Sequence, residues 1–230
     1  MLRNGNPKAV LYRSEMTTSS DFASQYERLG VFPTVDNGVR LSDTQLWDES
    51  TRPTRSESPA DVTYSAMGRR VGSHLIAVHD HLREELDKIR RLVESVEAGI
   101  VSPVDAIDSL DQFTVRQNNW TVGAYCAAYY RMIAVHHGLE DADVFPHLRT
   151  CEEQLEPVID RLCEEHTVIH DVLEGLDRAL VELVANPGDF TELRRATDIL
   201  TDTLLSHLAY EEHELVEPLA RYGFYVGQVR

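Results

Sequence analysis

Residues Ala134–Leu148 read AVHHGLEDADVFPHL, three histidines and three acids within fifteen residues that otherwise keep helical, apolar spacing. On a solvated face such a run is unremarkable in energy. On a buried face each unpaired polar group costs several kcal/mol, as an order of magnitude, unless something binds it. The face is therefore what has to be decided. Val122, Cys126, Tyr129, Ile133, His136, Glu140 and Val144 recur in steps of three and four, the spacing of a core-facing helical stripe. A histidine and a glutamate four apart thus fall on core positions. His137 and His147 leave this single-file stripe and read as surface or supporting groups.

The same pattern recurs in three more long amphipathic segments. Leu75, His79, Leu82, Leu86, Ile89, Val93 and Val96 form the first stripe, with His74 and His81 outside it. His79 and His81 are two apart, so only one of them faces inward. Leu155, Ile159, Leu162, His166, His170 and Leu173 form another stripe, with two histidines four apart. Leu193, Ala196, Leu200, Leu204, His207, Glu211 and Leu215 form the last, again with a histidine and a glutamate four apart. His213 lies off it.

Helices are expected over about 64–98, 118–148, 155–185 and 190–222, joined mostly by short connections. Ser102-Pro103 reads as the start of a short extra helix, and NPGD, residues 186–189, as a stop. No alternating β-branched run is long enough for a sheet. The expected fold is all-α, an antiparallel up-and-down four-helix bundle spanning residues 61–230. Residues 1–60, rich in Ser, Thr, Asn, Asp and Pro, read as an irregular N-terminal arm with one short helix around SSDFASQYERLG and a linker at STRPTRSESPAD. Its apolar pairs, Leu11 with Tyr12, Val31 with Phe32 and Leu46 with Trp47, are spaced to dock one at a time on helix surfaces.

All ten histidines lie between positions 74 and 213. Five imidazoles and two carboxylates from four helices would share one interior. Imidazole nitrogen and carboxylate oxygen are donors to first-row metals, and coordination removes most of their burial cost. The pattern therefore predicts a metal site. Net charge is −17, with 22 basic and 39 acidic residues, which argues against nucleic acid and anionic membrane surfaces as partners. The three cysteines show no C-x-x-C spacing, and the expectation is a reduced, cytoplasmic protein.

The set His79, His136-x-x-x-Glu140, His166-x-x-x-His170 and His207-x-x-x-Glu211, with its flanks VHDHLREEL, HHGLEDADVFPHL and HLAYEEHELVEPL, resembles the hemerythrin-like, HHE cation-binding domains over roughly residues 70–222. That resemblance implies two non-heme iron ions with an oxo or hydroxo bridge. One iron would take His166, His170 and His207, the other His79 and His136, with Glu140 and Glu211 bridging both. The second iron would keep a position open for dioxygen, peroxide, nitric oxide or azide.

Oxygen-carrying members place an aspartate five residues after the last-helix histidine, whereas here Glu211 and Glu212 follow His207 at +4 and +5. At ~3.6 residues per turn Glu211 lies about 40° from His207 and Glu212 about 140°, which favours Glu211; a glutamate there, as in many bacterial members of the family it resembles, implies a role other than reversible oxygen storage. Asp80, Asp141, Glu165 and Glu212 are candidates to orient ligand imidazoles. The function implied is binding, sensing or scavenging of dioxygen or a related small oxidant. The alternatives are a di-iron enzyme reducing peroxide or nitric oxide or oxidising an organic substrate, and an iron- or redox-responsive interaction protein.

Overall fold

The computed structural model describes residues 20–98, 122–186 and 189–224. Among them every regular element is helical. The elements are α1 (Ser20–Leu29), α2 (Ala66–Glu97), α3 (Val122–Leu139), a π-helical turn (Glu140–Val144), α4 (Phe145–Cys151), α5 (Glu156–Ala185) and α6 (Thr191–Tyr222). Short 3-10 turns at Glu49–Thr51 and Glu153–Leu155 complete the set. The ends follow local chemistry. The Ser65 hydroxyl accepts the Gly68 N–H at the start of α2, Asp189 caps Thr191 at the start of α6, and Gly223 leaves α6 at φ 72. The short helix expected after Ser102-Pro103 lies outside the described residues.

The four long helices close a ring in which α2 packs on α6, α6 on α5, α5 on α3 and α3 on α2. Along the α2/α6 seam Gly68 meets Ala220, Gly72 meets Val216, and Arg194 bonds Glu97. Residue numbers rise on one helix as they fall on the other, so this pair runs in opposite directions. The two glycines set how close it comes. A Cβ on Gly68 would lie 2.0 Å from the Ala220 carbonyl oxygen, and one on Gly72 2.9 Å from that of Val216.

The expected second segment runs on to Cys151, interrupted by the π turn, in which the Phe145 N–H bonds the Glu140 carbonyl. Pro146 gives the reason: it has no N–H for the Ala142 carbonyl, and its ring crowds that oxygen. The chain takes up one extra residue at this turn instead of breaking.

The core divides into two apolar layers. One holds Leu75, Val144, Ile159 and Leu215 with the arm residues Tyr26 and Leu29. The other holds Leu82, Ile133, Ile169 and Leu204. His79, His136, His137 and His166 fall in the sequence gap between the two layers, with His207 one residue before Leu208 at the edge of the second, so a polar stratum lies between two dry ones.

The described part of residues 20–60 is laid along the outer face of α6. The Leu41 and Ser42 N–H groups bond Asp202, the Arg55 N–H bonds Glu214, and the Tyr26 hydroxyl bonds the His213 carbonyl. The stretch read as a linker is anchored, with Arg55 and Ser58 buried. Val31 joins the layer of Leu75 and Trp47 packs against that of Leu82, whereas Leu46 stays exposed. Leu11 and Tyr12 lie outside the described residues. This cover explains why α6 is buried almost all round from Leu200 to Ala220.

Candidate metal centre

Two groups of potential metal donors meet in the polar stratum. His79, His136, Glu140 and Glu211 form one, and His137, His166 and His207 the other, each with donor atoms within 4.8 Å of one another. His79 is the inward member of its pair: its side chain is 0% exposed against 51% for His81. The carboxylates lie between the groups. Glu140 has Oε1 3.3 Å from His136 Nε2 and Oε2 3.7 Å from His166 Nε2. Glu211 Oε2 is 3.5 Å from His79 Nε2 and 3.6 Å from His207 Nε2.

His137 corrects the reading that put it outside the core. It is fully buried, stacked on His166 with ring centres 3.9 Å apart. A stripe is wider than a single file of positions. Taking Ile133 as zero, His136 falls at about −60° and His137 at about +40°, on either side of Glu140 at about −20°. Both therefore reach the interior. On α5 the buried line runs Ile159, Leu162, His166, Ile169 and Leu173. His170 stands beside it, half-buried, its ring 5.7 Å from that of His137 and in neither donor group.

The histidine nitrogens are sorted by carboxylates behind them. His79 Nδ1 is 3.1 Å from Glu212 Oε1, His207 Nδ1 3.1 Å from Glu165 Oε2, and His166 Nδ1 2.9 Å from Asp141 Oδ1. Each acceptor holds a proton on Nδ1 and leaves the Nε2 lone pair facing the stratum. Three of the four candidate orienting acids thus do this; Asp80 pairs with Arg83. Two nearby tyrosines bond backbone instead, Tyr129 the Leu82 carbonyl and Tyr210 the Pro53 carbonyl.

The inward atoms have no protein partner to satisfy them. His166 Nε2, His207 Nε2, both His137 nitrogens, Glu140 Oε2 and both Glu211 oxygens are buried without a hydrogen bond. His79 Nε2 and His136 Nε2 face each other at 3.1 Å. Burial, then the neighbouring His79, lowers His136 to about 2, and burial also lowers His137 and His207. Burial, then the charge of Glu211, pushes the Glu140 carboxyl well up. Neutral imidazoles and crowded carboxylates turned toward one another are the donor set a cation needs. The residues fit a metal.

Comparison with known families agrees. The family model of the hemerythrin HHE cation-binding domain matches residues 70–219, well over half of the chain. The chain belongs to that family of metal-cation-binding helical bundles, whose usual metal is iron. No curated protein and no solved structure matches it. Among the described residues no helix is long and apolar enough to cross a membrane.

Proposed function

We propose that the chain is a cytoplasmic di-iron protein that binds, senses or scavenges dioxygen or a related small oxidant such as peroxide or nitric oxide. In this reading His79 and His136 hold one ion and His166, His207 and a third imidazole hold the other, with Glu140 and Glu211 between them. His137 supplies the third imidazole in preference to His170, because both its nitrogens are buried without partners. The carrying observation is that inward donor atoms from four helices meet buried and without hydrogen-bond partners. Protonated histidines do not resolve this, since burial keeps His136 and His137 neutral.

When bound, two ferrous ions would supply electrons and an open coordination position for a small ligand. The protein's part is positioning and exclusion. Asp141, Glu165 and Glu212 fix the Nδ1 protons, and the two apolar layers keep bulk water from the stratum. About five neutral imidazoles against two carboxylates leave the centre positive, which suits small anions and dioxygen better than the carboxylate-rich sets of di-iron oxygenases. A reducing setting fits the three free cysteines, of which Cys126 is an inert thiol pushed up to about 12 by burial.

Anaerobic ferrous loading with metal counting, followed by titration with dioxygen, peroxide and nitric oxide, tests the reading. Two irons per chain and a saturable optical change with one of these ligands are expected. A loaded protein that responds to none of the three sinks it.

A further inference from the structure

Two of the three carboxylates that orient histidines are themselves held by the N-terminal segment. Glu165, 1% exposed, accepts from Arg52 through both oxygens, Nε to Oε1 at 2.8 Å and Nη2 to Oε2 at 2.9 Å. This is the two-pronged geometry in which a guanidinium fixes the plane of a carboxylate. Arg52 is locked in turn. Its Nη1 donates to Ser206 Oγ at 3.0 Å, and its plane lies 4.6 Å over the Tyr210 ring and 5.4 Å from that of Trp47. On the far side of the centre, Glu212 Oε2 accepts the Thr34 backbone N–H at 2.7 Å, while Oε1 takes His79 and Arg83. Two relays therefore run from the arm to the donor groups, Arg52–Glu165–His207 and Thr34–Glu212–His79. The third acid, Asp141, faces His166 and Cys163.

We propose that the arm is a working part of the metal centre, in which Arg52 positions His207 through Glu165 and the Thr34 N–H positions His79 through Glu212. This rests on the reading that the two donor groups hold metal. Without Arg52, Glu165 keeps Arg161, which bonds only its Oε1 at 2.8 Å. The carboxylate keeps one guanidinium but loses the fork that sets its plane, and with it the angle at which His207 presents Nε2. The ion on that side loosens first. By reciprocity a bound ion steadies the arm, so arm docking and metal loading are linked equilibria.

The test uses the full chain loaded anaerobically with ferrous iron, then transferred to a ferrous chelator. Arg52→Gln and Thr34→Pro, which removes the N–H together with the threonine side chain and fixes φ, are compared with the parent. Thermal midpoints of the metal-free forms report any plain loss of fold. Each variant is expected to release about one of its two irons roughly 10–100-fold faster than the parent, the range for lost outer partners of metal ligands. Arg52→Lys restores part of the retention, because it keeps the charge without the fork. Iron should also slow proteolytic cleavage within residues 30–60 in the parent. Release at the parent rate from both variants overturns the proposal while the metal reading stands. A parent chain that takes up no iron overturns both. Should Arg52→Gln fail to fold, unchanged release from Arg52→Lys and Thr34→Pro overturns it equally.

Discussion

His137 and His170 pull the residue-scale reading in different directions. Family resemblance implies His170 as the third imidazole of one ion, whereas it is His137 whose donor atoms lie with those of His166 and His207. The difference is measurable. His137→Ala is expected to reduce anaerobic iron content from about two ions per chain to about one, with His170→Ala keeping both. The reverse result would return the role to His170. His74→Ala, an exposed change on α2, should leave iron content alone. Gly68 makes the other residue-scale prediction. A methyl there meets backbone 2.0 Å away, and backbone cannot rotate aside. Gly68→Ala should cost about 1–3 kcal/mol of unfolding free energy, as overpacked sites do, measured by denaturant titration of the metal-free form.

Among the elements, α6 decides most. Glu212 and Asp202 point outward on a helix whose sequence would suit a solvated face, and the arm covers them with backbone N–H groups. Glu165, on α5, takes the Arg52 side chain. Burial acts to raise the Glu165 carboxyl, but its hydrogen bonds with His207 and Arg52 outweigh that and hold it at about 2. A carboxyl lowered on folding adds stability that is complete above the unfolded value near 4.5 and is lost as pH falls toward 2. The metal-free protein should therefore lose stability in acid between about pH 4.5 and 2. Glu165→Gln should flatten that part of the curve, read as thermal midpoint against pH. An unaltered slope would mean that other acids dominate it.

For the whole molecule the coupled quantities are fold, protons and metal. Metal bound only by the native state raises stability by mass action, about 2.7 kcal/mol at a hundred times Kd. The loaded form should melt higher than the metal-free form. The pH dependence of that gap has a definite sign. His136, lowered to about 2, is already neutral in the folded metal-free protein and releases no proton on binding near pH 6. Glu140 is raised, so the folded metal-free state holds its proton above the ordinary value of 4.5, and that proton must leave. Binding should accordingly strengthen as pH rises above 4.5, with release of protons. Calorimetry in buffers of different ionisation heat measures this directly, and zero proton release would remove Glu140 from the site.

Sequence by itself determined the helices, because apolar steps of three and four and the local stop signals are read within a few turns. It also determined that histidine and glutamate sit on inward faces, since His79, Glu140, His166, His207 and Glu211 share the phase of their apolar neighbours. Resemblance carried the family. Periodicity gives phase on one helix only, and neighbouring phases such as those of His136 and His137, or Ile169 and His170, are separated by how far the facing helices stand apart. That choice, the π turn at Glu140–Val144 and the partners of Glu165 and Glu212 were decided by tertiary structure. Arg52 and Thr34 lie in a stretch with no period at all. Their place beside the metal centre comes from a chain folded back over 113 and 178 residues of sequence to reach those two carboxylates, a distance that no local rule spans.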